Sequence, residues 1–448
     1  MHRWSTLLAL LAITATGHAQ IQVGLATRDI TPDGPIWLSG YSGRDHASER
    51  VAQKLEVTAA AFSDGTERVV LIALDNCEVS RAFSAPVLSE AQKKHGLGDG
   101  AVIIVSSHSH SSPCLAEVLT SMFHFEGVEK ERVDDYTSKV RASISDVITG
   151  ALGDLKPSIL HRGTGRAGFA MNRRQFFEDR VDFGENPDGP VDHGVPVLRV
   201  STPEGNIRAV LFGYACHGTT SGGKDWYDVS GDYMAYAREH IEAVFPGAKA
   251  LYLTGCGADC NPSPRGSLQF AKQHGLELAG AVTGVLSRPM RTVSGPIRRA
   301  FARIELPLAP PPDRTRLVAD TESKDQHVRN RARAWLGLLD AGKPLPPTVS
   351  LPLSVLRFGG DLTFLFLGGE PVVDYALGLQ REHVGENPWT VGYAFDVPCY
   401  IPTSRILREG GYEADSSLIY YGIYGPIVGK AESMIFESFR QMVRATKP

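Results

Sequence analysis

Two histidines stand two residues apart in the segment 106–113, SSHSHSSP, directly after an apolar run. If the backbone stays extended, His108 and His110 point the same way; if it turns, they diverge and can take separate tasks. A third imidazole, His217, sits in YACHGTT after another apolar run, and Glu370 follows two glycines in GGEP. Each has a plain reading alone: a loop or core histidine bonded to backbone, or a carboxylate near a helix N-terminus. Together, two or three His and one Glu make a catalytic zinc set with an open position for water. Zinc lowers the pKa of that water to about 7 and polarises a carbonyl, as neutral-pH amide or ester hydrolysis requires. By pattern alone Arg173, in MNRR, reads as an ion-pair residue that could clamp a carboxylate or an oxyanion, and Tyr400 and Tyr412 read as partly buried tyrosines. No GxSxG elbow, Walker loop or HExxH helix occurs, which sets aside serine-hydrolase elbow, NTPase and zincin readings.

The elements that must position these residues are short apolar runs, each followed at once by small and polar residues. They are 68–74 (RVVLIAL), 101–105 (AVIIV), 209–214 (AVLFGY), 250–253 (ALYL) and 362–367 (LTFLFL). Unbroken runs of this kind suit strands buried on both faces. Helical stretches are expected over 85–95, with Pro86 in the first turn, and over 134–152, 233–244 and 267–287. Strand and helix alternate, so the expectation is an α/β fold with a mostly parallel or mixed central β-sheet flanked by helices. The site then lies at the carboxyl ends of the strands, where Asp75, His108, His110, His217, Asp259 and Glu370 all fall. The Pro-bounded, charged stretch 310–347 reads as a helical insertion with a solvated surface, and no tandem repeat is visible.

The 448 residues are 42% apolar and 21% charged, an ordinary globular composition that excludes disorder and coiled coil. The net charge is −4 with no basic block, so nucleic acid is not expected as a partner. Residues 1–19 read as a secretory signal, leaving 20–448 as the mature catalytic chain, secreted or periplasmic. No apolar run outside it is long enough to span a bilayer. The six cysteines, including Cys256 and Cys260, read as buried thiols or one local disulfide. The oligomeric state is not indicated.

Several motifs in order resemble the neutral, non-lysosomal ceramidases, zinc amidases that cut the N-acyl bond of ceramide. They are VGLATRDITPDGPIWLSGY, SSHSHSSP, MNRR, YACHGTT, SGDYMAYA, GADCNP, GGEP and the stretch 400–416. The resemblance covers the family's catalytic domain, without its carboxyl-terminal immunoglobulin-like domain. It implies zinc ligation by His108, His217, Glu370 and Tyr400, proton shuttling by His110, and contacts from Arg173 and Tyr412 to the substrate or its oxyanion. Asp75 and Asp232 become residues that orient a ligand histidine. Asn261 stands where the family carries a serine; an amide is no nucleophile but can donate a hydrogen bond to an oxyanion. The implied function is a secreted zinc amidohydrolase acting on ceramide or a related acylated amine, with transient membrane-surface contact. Asn261 keeps two alternatives open: a hydrolase of a non-lipid amide, ester or lactone, and a non-catalytic zinc-containing binding protein.

Overall fold

In the computed structural model, which describes residues 20–447, the main strands form three units of one design. The first unit is β1 (Gln22–Asp29), β2 (Glu56–Ser63), β3 (Arg68–Leu74), α1 (Arg81–His95), β4 (Val102–Ser106) and α2 (Gly127–Gly153). The second opens with β5 (Ile159–Arg166), carries an inserted hairpin of β6 (Ala170–Phe176) and β7 (Val181–Asn186), and continues as β8 (Gly194–Ser201), β9 (Ile207–Tyr214), α3 (Asp232–Val244), β10 (Lys249–Thr254) and α4 (Leu268–Leu286). The third runs β11 (Ile297–Pro307), α5 (Arg314–Asp320), α6 (Gln326–Asp340), β12 (Thr348–Phe358), β13 (Leu362–Leu367), α7 (Val373–Glu382), β14 (Pro388–Val391), α8 (Ser404–Glu409) and α9 (Ala431–Ala445).

The pairing is the same in each unit. The first two pairings are antiparallel and the third is parallel, giving the orders β4-β3-β2-β1, β10-β9-β8-β5 and β14-β13-β12-β11. A helix, α1, α3 or α7, connects the parallel strands, as a parallel crossover requires. The last helix of each unit packs across its first two strands: α2 on β1 and β2, α4 on β5 and β8, α9 on β11 and β12. The hairpin turns fit this plan; at 64–67, Asp64 Oδ1 accepts from the Thr66 and Glu67 amides beside Gly65 at φ 88°.

The α/β class expected from the sequence is the one found, with the strands divided among three principal mixed sheets rather than one. Each helix-facing side has its own apolar core, one around Val70 and Ile144, one around Phe212 and Leu278, and one around Leu365 and Phe439. The opposite sides share a single cluster in which Leu71, Val105, Leu211, Leu253, Phe364 and Trp389 meet. Double-sided burial explains why the strands read as unbroken apolar runs.

Two local readings change. α1 begins at Arg81, capped by the Ser80 hydroxyl, so Pro86 lies inside the helix rather than in its first turn. The helix tolerates it because Arg141 of α2 donates to the carbonyl of Ala82, the acceptor that proline leaves vacant. The charged insertion is helical, but α6 buries His327, Ala332 and Trp335. Trp335 Nε1 donates to Gly422 O at 2.6 Å and Asn330 to Ser121 O at 3.2 Å, so α6 braces two loops. All six cysteines are free and buried, and no described helix is long and apolar enough to cross a membrane. The expected signal segment 1–19 lies outside the described residues.

Phe364 packs on Phe358, Phe366 and Trp389 in the shared core. Phe364→Ala is therefore expected to lower urea-unfolding stability by about 3–5 kcal/mol, and a loss below about 1 kcal/mol contradicts that packing.

Candidate metal centre and substrate cavity

Strand ends from all three units converge. The edge strands β4, β10 and β14 are stitched at their carboxyl ends: Thr254 Oγ1 donates to Ser106 O at 2.7 Å, Gly392 N to Thr254 O at 2.8 Å and Ser106 N to Tyr393 O at 3.2 Å. Beyond β4 the chain turns through His108 at φ 61°, a left-handed conformation uncommon for a non-glycine residue. His108 N donates to Asn76 O and His110 N to Gly218 O, both at 2.9 Å, which ties this loop to two units. His217 N is held by Cys260 O at 3.0 Å. Glu370 follows Gly369 at φ 73°, where a Cβ would stand 2.8 Å from Cys399 O, and it pairs in parallel with Tyr400.

His108 Nδ1 donates to Cys77 O and His217 Nδ1 to Gly257 O, each at 2.9 Å. In the neutral tautomer this leaves the Nε2 lone pairs available to a cation. These nitrogens lie 3.1 and 3.2 Å from the same Glu370 oxygen, Oε2. Two imidazole lone pairs and a carboxylate meeting in a buried pocket repel unless a cation lies among them. A proton is a poor candidate at His217, since burial, Arg173 and His108 hold its pKa down to about 3. The donor set, with both tautomers fixed by backbone carbonyls, fits zinc. Tyr400 Oη lies 3.2 Å from His217 Nε2, within reach of the same point, and accepts from Arg173 Nη2 at 3.1 Å.

A cavity of about 450 Å³ opens beside this group, lined by His110, Arg173, Asn261, Tyr400, Tyr412 and Phe183 among others. His110 Nε2 lies 3.1 Å from His108 Nε2, and its Nδ1 has no partner. Burial and the neighbouring His108 and His217 hold the His110 pKa well below its ordinary value. Arg173 Nε is paired with buried Glu413 at 2.8 Å, and its Nη1 donates to Asn261 Oδ1 at 3.3 Å. Thr219 Oγ1 donates to the same oxygen at 3.2 Å. Arginine can only donate, so the amide orientation is fixed, with Oδ1 held by Arg173 and Thr219 and Asn261 in the cavity lining. Tyr412 stands 5.3 Å from the Tyr400 ring, with the Arg173 guanidinium 5.5 Å from its own ring.

Residues 21–256, just over half of the chain, match the family described as neutral/alkaline non-lysosomal ceramidase, N-terminal. The chain belongs to the ceramidase family. The fold is similar to the crystal structure of neutral ceramidase from Pseudomonas aeruginosa, with a TM-score of 0.72 and 19% identity over 96% of this chain and 76% of that one. A structure described as ceramidase complexed with C2 is similar at a TM-score of 0.72, 18% identity and the same coverages. No curated protein sequence matches. Family membership implies a hydrolase of amide bonds.

In this ceramidase-family chain the residues singled out from the sequence come together, except three: Asp259 accepts from the Val373 amide at 2.8 Å and from Asn172 Nδ2 at 3.3 Å, away from the group, and Asp75 and Asp232 are engaged elsewhere. Asp75 pairs with Arg238 at 2.9 Å, and Asp232 accepts from the Thr220 amide at 2.9 Å. Neither bonds to a histidine of the group, because backbone carbonyls already occupy both Nδ1 atoms. Three residues were missed: Tyr393, whose hydroxyl donates to Glu370 Oε2 at 3.3 Å, Tyr421, bonded to Glu370 Oε1, and Glu78. Tyr421 also lies 3.1 Å from Glu78 Oε2, and burial together with the Glu370 charge pushes the Glu78 carboxyl well above its ordinary pKa. Glu78 follows the strand that ends before Asp75, so the strand-end pattern could have found it; the run before Tyr393 is only Pro388–Val391.

Tyr421→Phe removes a hydrogen bond that orients Glu370. Chelator competition is expected to show zinc affinity reduced about 10–100-fold, and unchanged affinity contradicts this role.

Proposed function

We propose that this chain is an exported zinc-dependent amidase that cleaves the N-acyl bond of ceramide or a related acylated amine. The observation that carries the reading is the convergence of His108 Nε2 and His217 Nε2 on Glu370 Oε2 beside a cavity lined by hydrogen-bond donors. His108, His217 and Glu370, with Tyr400, would hold the zinc. Bound there, zinc supplies a water of lowered pKa and polarisation of a carbonyl.

The chain's own residues do the rest. Arg173 is held by Glu413, so its planar fork is positioned in advance of substrate. Asn261 Nδ2 supplies a donor for an oxygen that gains charge as the amide carbon becomes tetrahedral. His110 takes the proton from the attacking water and returns it to the leaving amine; its place at the cavity wall against His108 supports that role. Tyr412 and Phe183 supply aromatic surface for the substrate, in contact at 4.6 Å between ring centres.

Asn261 favours a second reading, hydrolysis of a non-lipid amide, ester or lactone, since it contributes a donor and no nucleophile. Both readings are tested by zinc removal with a chelator, followed by assay on a panel of N-acyl amines including ceramide, short amides and esters. The proposal expects fatty-acid release that disappears with the metal, returns with zinc, and falls about 10²–10³-fold in Asn261→Ala. Turnover confined to short amides or esters selects the second reading. Full activity without metal contradicts both, and zinc binding with no turnover on any substrate makes the chain a binding protein.

A further inference from the structure

The β6–β7 hairpin forms one wall of the cavity through Met171, Arg173 and Phe183, and then projects beyond it. Phe176 and Phe177 at its turn are 56% and 43% exposed, and Phe183 is 50% exposed. The pairings Arg174 with Phe183 and Phe176 with Val181 put Phe176, Val181 and Phe183 on one face. Among the described residues, the other large apolar side chains so exposed lie on separate elements. Phe177 follows Phe176 at the turn, on the other face by alternation, with the Arg180 guanidinium 4.8 Å from its ring, so exposed aromatic surface lies on both sides of the hairpin tip, where water does not favour it.

The surrounding charge narrows what covers it. Glu178, Asp179, Asp182 and Glu185 flank the patch, against Arg180, which is spent on Asp179 at 3.2 Å and Asp182 at 3.4 Å. A net acidic rim repels an anionic bilayer and leaves a zwitterionic one accessible. The patch is also continuous with the cavity wall, so whatever surface it enters is delivered to the mouth.

We propose that the β6–β7 hairpin docks this chain on a zwitterionic, phosphocholine-type lipid surface through Phe176 and Phe177, placing the cavity mouth where an acylated amine resides. The inference rests on the lipid-amide reading of the site, but its test does not need turnover. The zinc-loaded chain is sedimented with phosphatidylcholine vesicles and, separately, with vesicles enriched in phosphatidylserine. The proposal expects binding to the first, weaker binding to the second, and at least tenfold weaker partition for the double variant F176S/F177S with unchanged zinc content and thermal unfolding. A Phe177→Trp variant is expected to bind as the unaltered chain does, with a blue-shifted emission from the added indole on the vesicle surface. Equal partition of the double variant, preference for the anionic vesicles, or an unshifted emission overturns the proposal. So does a dimer in light scattering that F176S/F177S dissociates while vesicle binding is absent, which would assign the patch to a second copy of the chain. Vesicle binding that persists where no amide is cleaved would refute the proposed function and leave the docking surface standing.

Discussion

His108 Nε2 and His217 Nε2 each approach one oxygen of Glu370 to within 3.2 Å among buried side chains, and both Nδ1 atoms are committed to backbone carbonyls. Burying a charge costs several kcal/mol unless partners satisfy it, so the surrounding chain must hold this group in place, and a cation at the shared point would complete it. The holding is visible on every side. Backbone carbonyls from two loops grip the far nitrogens, Tyr393 and Tyr421 grip the carboxylate, and Arg173 grips Tyr400. The left-handed turn at His108 is a local cost, of order 1–3 kcal/mol, that this network sustains.

The three-unit plan explains how one point collects ligands from such distant parts of the chain. Each unit ends its parallel pair at the centre of the molecule, so the loops that follow those strands are the only segments that must be irregular there. His108 follows the second parallel strand of the first unit, His217 the first of the second unit, and Glu370 the first of the third. The reciprocal hydrogen bonds among Ser106, Thr254, Gly392 and Tyr393 fix these ends against one another. Outside that centre the units tolerate insertion: the β6–β7 hairpin builds the cavity wall, and α5–α6 braces the loop that carries Tyr421.

Much of this was legible in the sequence, for a physical reason. Strands covered on both faces must be apolar throughout, and polar residues can enter only where such a strand stops; hence His108, His217 and Glu370 stood out at the ends of their runs. The threefold plan was not legible, because the units share pairing and packing rather than residues, and the turn between β8 and β9 is longer than its counterparts and follows a register shift at Val200. The start of α1 was misplaced because Arg141, which rescues the carbonyl opposite Pro86, is 59 residues away from Ala82. The roles given to Asp75 and Asp232 failed similarly, since which acceptor meets an imidazole is decided by the path of two loops. Tyr400 and Tyr412 drew notice only through family resemblance; spacing alone says nothing of an arginine, Arg173, that lies beside both rings in space.

Whether the point shared by His108, His217 and Glu370 holds a cation decides the chemistry of the site. A crystal structure of the purified chain, with diffraction data recorded on both sides of the zinc absorption edge, answers it. A single anomalous peak enclosed by His108 Nε2, His217 Nε2 and Glu370 Oε2 is expected. No peak after crystallisation with added zinc, with the two histidines and the carboxylate still in contact, would contradict it and require a proton to hold the three together.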